Sequence, residues 1–362
     1  QGWIFTYENF ARSNALTNIT SPSTYGITLS AKMFAHGIDN DCTDNSPTFL
    51  QAPYFVSCAG TPFRYNMNAV DPDLDSLYIE FGIPYNNFPT GTYNPPLNPI
   101  PIPFEPGFTF SSPTPNNSMN PSNVSAAINS SNGEITFNSF TVGNFVVKVL
   151  VKSYRQGILI AEVEREMQLV IVPCATGNNA PIFTAPFAGG LYTASVNAGD
   201  LVTFNVLAND NEFLQDGSPQ TVTLTASGPM FGSNFTSATG CQVFPCATLN
   251  QSLPLSGIQQ ANVSFSWQTS CDHLVNQYGN VLESIPYTFV FRAQDNYCQI
   301  PKVNYATIQI NVLNPGILQA PKIDCIQTDN AGNVIISWTP INDPISSFVS
   351  YQLYSVQNGL LA

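Results

Sequence analysis

Alternation rather than helical periodicity organises the hydrophobic positions of this 362-residue chain. Four runs carry it most plainly: Phe145–Lys152, Gln168–Val172, Tyr287–Arg292 and Thr307–Val312, rich in β-branched and aromatic residues and bounded by Gly, Pro and Asn clusters. Each predicts a strand. Helical spacing is nearly absent, and Ala161–Gln168 is the nearest candidate for a helix. Short strands between frequent turn signals point to antiparallel sandwiches rather than parallel α/β sheets, so the predicted class is all-β.

The pattern occurs twice. Ala59-Gly60 is followed by alternating Phe63, Tyr65 and Met67 and then Ala69-Val70-Asp71, while Ala198-Gly199 is followed by Val202, Phe204, Val206 and Ala208-Asn209-Asp210. The matched pairs lie 139 residues apart (198 minus 59, 210 minus 71), and the same offset carries Leu169 and Ile171 onto Ile308 and Ile310. The spacing predicts two copies of one domain, 46–176 and 177–315, placed head to tail. Both copies are entered through similar words, Asp44–Phe49 and Asn178–Phe183. Pro47 and Pro181 fix φ and deny a ladder hydrogen bond, which predicts short, stiff linkers and an extended array. Residues 1–45 are expected to be the C-terminal part of a preceding β domain, and a Pro-rich insertion at about 84–132 is where the copies differ most.

Composition narrows the partners. Charged residues are 9% of the chain and hydrophobic residues 43%, so Asn, Ser, Thr and Gln build most of the polar surface, as in an exported β-protein. Disorder would need the opposite balance. The net charge of −13 with ten Lys and Arg leaves no basic cluster to track a phosphate backbone, which excludes nucleic acid. No apolar run reaches the length of a membrane helix, and the chain, which begins at Gln1 rather than Met, reads as a mature or excised piece.

The eight cysteines lack the paired spacing of a zinc site and read as disulfides of an oxidising compartment. Cys58 near the first strand of a repeat and Cys174 at its last are expected to pair across the sandwich. Cys241 and Cys246 are near enough to close a local loop, Cys271 and Cys298 would tie neighbouring segments, and Cys42 and Cys325 remain.

Several words together resemble large secreted surface proteins of Bacteroidota: Arg12–Ile19, Asn45–Phe49, Ala69–Leu77 and the Asp295-Asn-Tyr-Cys298 region. Members of that kind carry a gliding-motility-associated C-terminal sorting domain and leave by the type IX secretion system. The resemblance implies tandem immunoglobulin-like (cadherin- or fibronectin-like) β-sandwiches in an adhesin-like surface stalk. Residues 316–362 resemble the opening of a fibronectin type III domain, in which a Trp on the second strand packs on a Tyr of the third; Trp338 and Tyr351 match that order.

Candidate sites are few. Asp71, Asp73 and Asp75 place three carboxylates in one turn, a donor set suited to calcium; a solvated acidic turn is the plainer reading. The linker words resemble the calcium-binding linker of cadherins, with Asp41, Asp44 and Asn45 at matching positions, whereas Asn178 and Asn179 remove the charge in the second linker. Asp75-Ser76-Leu77 matches the Asp-Ser/Thr-apolar sequence on which Bacteroidota attach O-glycans, which makes Ser76 the acceptor. Tyr85, Phe88, Tyr93 and Phe104 in the insertion could form a sugar-stacking platform, against the alternative that the loop packs on its own sandwich. No catalytic residue is assigned: His36 and His273 lie in no nucleophile motif and read as turn or surface residues.

The expectation is a non-catalytic, extracellular, outer-membrane-attached stalk that needs no cofactor beyond an optional calcium. It would meet other surface or outer-membrane proteins, or glycans and solid surfaces, and serve motility or attachment. The alternatives are accessory modules of a secreted polysaccharide-acting enzyme and a partner-bound component of the secretion or motility machinery.

Overall fold

The alternating runs pair into two sandwiches of one topology. An antiparallel pair, β1 (Trp3–Asn9) and β2 (Ile27–Met33), opens the chain. The first sandwich follows as β3 (Thr48–Phe49), β4 (Val56–Cys58), β5 (Phe63–Asn66), β6 (Ala69–Val70), β7 (Ser76–Phe81), β8 (Val124–Ile128), β9 (Glu134–Asn138), β10 (Gly143–Arg155) and β11 (Ile158–Val172). The second comprises β12 (Ile182–Phe183), β13 (Thr193–Asn197), β14 (Leu201–Asn209), β15 (Thr221–Ser227), β16 (Thr248–Leu249), β17 (Leu255–Ile258), β18 (Gln260–Gln268), β19 (Ser284–Gln294) and β20 (Val303–Leu313). This computed structural model describes residues 2–35, 44–53, 56–88, 99–174, 177–276, 279–298, 300–316, 321–340, 350–353, 356–357 and 360–361. Gln1–Leu313 is one unit and Asn314–Ala362 another.

In the second sandwich the sheet β12-β14-β18-β16 faces the sheet β13-β20-β19-β15-β17, and in the first β3-β6 with β5-β9-β8 faces β4-β11-β10-β7. In each, the entering segment first pairs antiparallel (Phe49 with Ala69, Phe183 with Ala208), then crosses to run parallel to the last strand (β4 with β11, β13 with β20). That split first strand, with its antiparallel hairpins, is an immunoglobulin-like arrangement.

The repeat offset is not constant. Equivalent hydrogen bonds run from Ala59 N–H to the Val172 carbonyl and from Ala198 N–H to the Leu313 carbonyl, so the last strands are related by 141 residues (313 minus 172) and the first by 139 (198 minus 59). Leu169 therefore corresponds to Ile310 rather than Ile308. A slip of two residues keeps the same side chains inward, which is why the sequence pattern conceals it.

Two expectations are corrected. Ala161–Gln168 is strand, within β11. Its Glu162, Glu164 and Glu166 fall on one face at period two and meet Lys32 (2.9 Å), Lys148 (2.9 Å) and Arg12. Residues 1–45 are not the tail of a separate domain: β2 pairs with the Ala161–Val163 edge of β11, and Leu16 and Ile19 pack with Ile102 and Val146 on the outer face of the same sheet. The insertion also ends sooner than expected, because Val124–Ile128 pairs with β9.

The cores are aromatic. Trp267, Phe265, Phe289 and Tyr287 fill the second, and Tyr65, Met67, Phe137 and Phe145 the first, which also takes in Val290 and Tyr305 from the second sandwich. The sandwiches thus meet along a packed seam and not only through residues 173–181. In the second unit β21 (Lys322–Thr328) pairs with β22 (Val334–Thr339), and the Trp338 and Tyr351 rings meet edge to face at 5.3 Å.

Candidate functional site

The acidic turn of the first sandwich is a closed ionic node. Asp71 follows β6, and its Oδ1 accepts the N–H of Asp73 (2.8 Å) and of Asp75 (3.4 Å), while Oδ2 accepts the Ser153 hydroxyl (2.8 Å). Asp71 therefore shapes the turn and points inward. Burial pushes its carboxyl up to about 7, against the lowering effect of the Ser153 and Asp73 hydrogen bonds. Asn45 clasps Asp73 with its backbone N–H and its amide, both at 2.7 Å.

The β10–β11 hairpin brings the cation. Gln156 and Gly157 both have positive φ, the geometry of a tight two-residue turn, and a register shift at Ser153/Tyr154 turns the strand end toward the acids. Arg155 donates to Asp75 from Nε (3.1 Å) and Nη2 (2.6 Å), and Nη2 also reaches Asp44 (2.8 Å) and Asp73 (3.5 Å). Asp44, Asp73 and Asp75 place carboxylate oxygens within 4.8 Å of one another, a set compatible with a hard cation. The Arg155 guanidinium already lies among them, so calcium would have to displace it. Asp71 is not part of that set, and Asp41 lies outside the described residues.

The second linker makes the same clasp with different chemistry. Asn179 donates its N–H (2.5 Å) and its amide to Glu212, as Asn45 does to Asp73, and Asp210 accepts the Glu212 N–H (3.0 Å). Where the first linker has Asp44, the second has buried Asn178. Its amide nitrogen donates to Asp295 Oδ2 (2.9 Å), its side-chain oxygen accepts Gln220 Nε2 (2.7 Å), and its backbone carbonyl accepts Lys302 Nζ. Asp295 Oδ1 also accepts the N–H of Tyr297 (3.0 Å) and of Lys302 (2.9 Å). Burial raises the Asp295 carboxyl and lowers the Lys302 ammonium.

The seam joins the two nodes. Lys302 Nζ also reaches Thr61 Oγ1 (3.2 Å), Asn66 donates to Thr307 (3.1 Å), and Gln51 and Asn68 both donate to Ser227 (3.0 and 2.9 Å). Tyr65 and Tyr305 meet edge to face at 5.5 Å. Gln242, inside the Cys241–Cys246 disulfide loop, donates to the Asp71 (3.1 Å) and Pro72 (2.7 Å) carbonyls. Beside it lies a cavity of about 180 Å³ lined by Asp71, Leu74, Ser76, Gln242, Tyr287 and Gln309.

The other predicted residues separate. Cys58 is bonded to Cys174, joining the parallel pair β4 and β11 at its end. Cys271 and Cys298 are exposed and unbonded, contrary to expectation. Cys271 precedes β19 and Cys298 follows it; eleven extended residues, on the order of 35 Å, keep them apart. Cys325 is likewise exposed and unbonded, and Cys42 lies outside the described residues. Ser76 is exposed at the start of β7. Among the described residues the aromatic platform does not assemble: Tyr85 lies under Lys148 Nζ (4.2 Å from its ring), and Phe104 packs against the small cluster of Leu16, Ile19, Ile102 and Val146. Phe88 N–H approaches Glu8 (3.4 Å), and Tyr93 lies outside the described residues. His36 does too. His273 is buried rather than at the surface, its ring held by the Ser270 N–H (2.8 Å) and the Pro245 carbonyl (3.1 Å) against Trp267. Burial lowers its pKa.

Arg155, Gln220, Gln242 and Lys302 stand in no site motif of the sequence, and Asp295 enters it only within the Asp295-Asn-Tyr-Cys298 word. The signal for Arg155 was present, since it stands beside a Gln-Gly turn and is one of only ten basic residues.

No family model matches the chain. No curated protein matches it either. Among solved structures it is similar to domains 1–6 of the surface layer protein SbsC (TM-score 0.19, 11% identity, 99% of this chain and 43% of that one). It is also similar to a 3Ig fragment of titin (TM-score 0.21, 11% identity, 87% and 85%) and to cadherin-like domains 1 to 4 of zebrafish RET (0.17, 11%, 52% and 38%). The chain thus spans 43% of the surface-layer fragment. Immunoglobulin-like architecture here rests on the strand pairing itself. Among the described residues no helix is long and apolar enough to cross a membrane.

Proposed function

We propose that this chain is a non-catalytic segment of a secreted, surface-attached protein, an adhesin-like stalk exported by type IX secretion and serving attachment or gliding motility. The observation that carries the reading is the interlocked seam. Gln242 and Lys302 bridge the two sandwiches, while Arg155, engaged by Asp44, Asp73 and Asp75, fixes the entering linker to the first of them. A stalk transmits force and presents contacts, and such a joint resists bending where a bare linker would not. Its partners are other surface or outer-membrane proteins, or glycans and solid surfaces engaged multivalently. Ser76, within the Asp75-Ser76-Leu77 sequence that resembles a Bacteroidota O-glycan acceptor, is exposed as such a modification needs.

Protease shaving of intact source cells, followed by immunodetection, tests the placement. The reading expects loss of the protein from unbroken cells and reduced surface attachment in a deletion strain. Protection of the chain until lysis would overturn it.

A further inference from the structure

We propose that Lys302 and Asn178 become joined by an intramolecular isopeptide bond, with Asp295 relaying the proton. The three side chains converge at one end of the second sandwich: Asn178 precedes β12, Asp295 follows β19 and Lys302 precedes β20. All three are buried, with relative exposures of 3%, 3% and 9%. Lys302 Nζ hydrogen-bonds to the backbone carbonyl of Asn178, which brings the amine to the residue it would attack. The side-chain amide is held at both ends, its nitrogen on Asp295 Oδ2 (2.9 Å) and its oxygen on Gln220 Nε2 (2.7 Å).

Each contact has a part in amide exchange. The Gln220 donor sits where negative charge develops on the Asn178 oxygen as the carbonyl carbon becomes tetrahedral. Asp295 touches the nitrogen that must leave. Attack needs a neutral amine and a protonated acid, and burial moves Lys302 and Asp295 in those directions. The Nζ lone pair forms a bond to Cγ of Asn178. Asp295 passes its proton to the departing Nδ2 and, once Nζ has swung from the Asn178 backbone carbonyl to Cγ beside it, takes up the proton that Nζ sheds. The Cγ–Nδ2 bond breaks, ammonia leaves, and a secondary amide remains; no oxidant or cofactor is required. Holding the groups together replaces a bimolecular encounter and so removes part of the barrier that the reaction meets in water.

The bond would change how the domain bears load. Tension entering at Asn178 would cross to Lys302 and pass into β20, bypassing β12 to β19. The stalk reading is not needed for the chemistry, and the chemistry can fail without it.

The test is intact mass of the reduced native chain followed by tryptic peptide mapping. The expected result is a deficit of one ammonia that maps to a branched peptide pair containing Asn178 and Lys302, with no tryptic cleavage after Lys302. Asp295→Asn and Lys302→Arg should each restore the lost ammonia. A chain at full mass overturns the proposal, as does an ammonia deficit that maps to cyclised Gln1 or to a succinimide within a single linear peptide. The unsubstituted chain decides the matter even if neither variant folds.

Discussion

Arg155 holds both carboxylate oxygens of Asp75, at 3.1 and 2.6 Å, although the two residues are 80 positions apart. The pair is buried together with Asp44 and Asp73, so the first linker, the acidic turn and the long hairpin share one cation.

Removing that cation should be costly. Arg155→Ala leaves three acids clustered out of water, and breaking a buried pair from one side costs about 3–5 kcal/mol. Urea unfolding of the variant should show a loss of that order.

The smaller change Arg155→Gln vacates the centre of the carboxylate set. Calcium should then raise the melting temperature of the variant by several degrees while moving the parent chain little. Calorimetry with and without calcium would show it, and an equal response of both proteins would mean that Arg155 yields readily to the ion.

Asp71 predicts a slope with pH. Its carboxyl titrates near 7 when folded against an ordinary value of 3.8, so between these limits the folded state binds more protons than the unfolded one. Asp71 thus contributes stability that is complete below pH 3.8 and is lost as pH rises through about 7. Asp71→Asn should flatten this part of the profile, measured as unfolding free energy from pH 4 to pH 8.

The disulfides should differ from the free thiols. Replacing Cys58 and Cys174 together by Ala opens a cross-link spanning 116 residues and should cost about 2–5 kcal/mol. Cys271→Ser and Cys298→Ser should leave the unfolding midpoint unchanged, and both parent thiols should react with a maleimide in the native protein.

Gln242 tests the seam. Each of its hydrogen bonds to Asp71 and Pro72 contributes about 1 kcal/mol, so Gln242→Ala should destabilise the pair of sandwiches by roughly 1–2 kcal/mol. A cycle combining it with Cys241→Ala/Cys246→Ala should be non-additive, because the loop that positions Gln242 is closed by that bond.

Most of what could be read from sequence was local, the Cys58–Cys174 pairing across 116 residues being the exception. Strand alternation, the twinned Ala-Gly and Asp words and the Cys241–Cys246 loop are set by neighbours along the chain. Asn45 and Asn179 make the same clasp because each linker faces the same turn. Partners far apart in sequence are set by tertiary approach: Arg155 meets Asp44 because the end of the β10–β11 hairpin lies at the acidic turn, and Lys302 meets Asn178 because the Asn304 amide holds the Pro181 carbonyl beside the start of β20. Ala161–Gln168 misleads for a related reason. Its residues favour helices in isolation, and its charges show strand spacing only when Arg12, Lys32 and Lys148 are known to lie opposite.

The Arg12–Glu166 pair spans 154 residues, and it sets a timetable. A chain leaving an exporter amino end first would release β1 and β2 long before β11, the strand they dock on, has emerged. Until then Leu16 and Ile19, which finish buried with Ile102 and Val146, would travel uncovered beside water. Such a segment finishes late, at a pace set by its most distant contact, and it is there that a chaperone or a neighbouring molecule would have the longest opportunity to intervene.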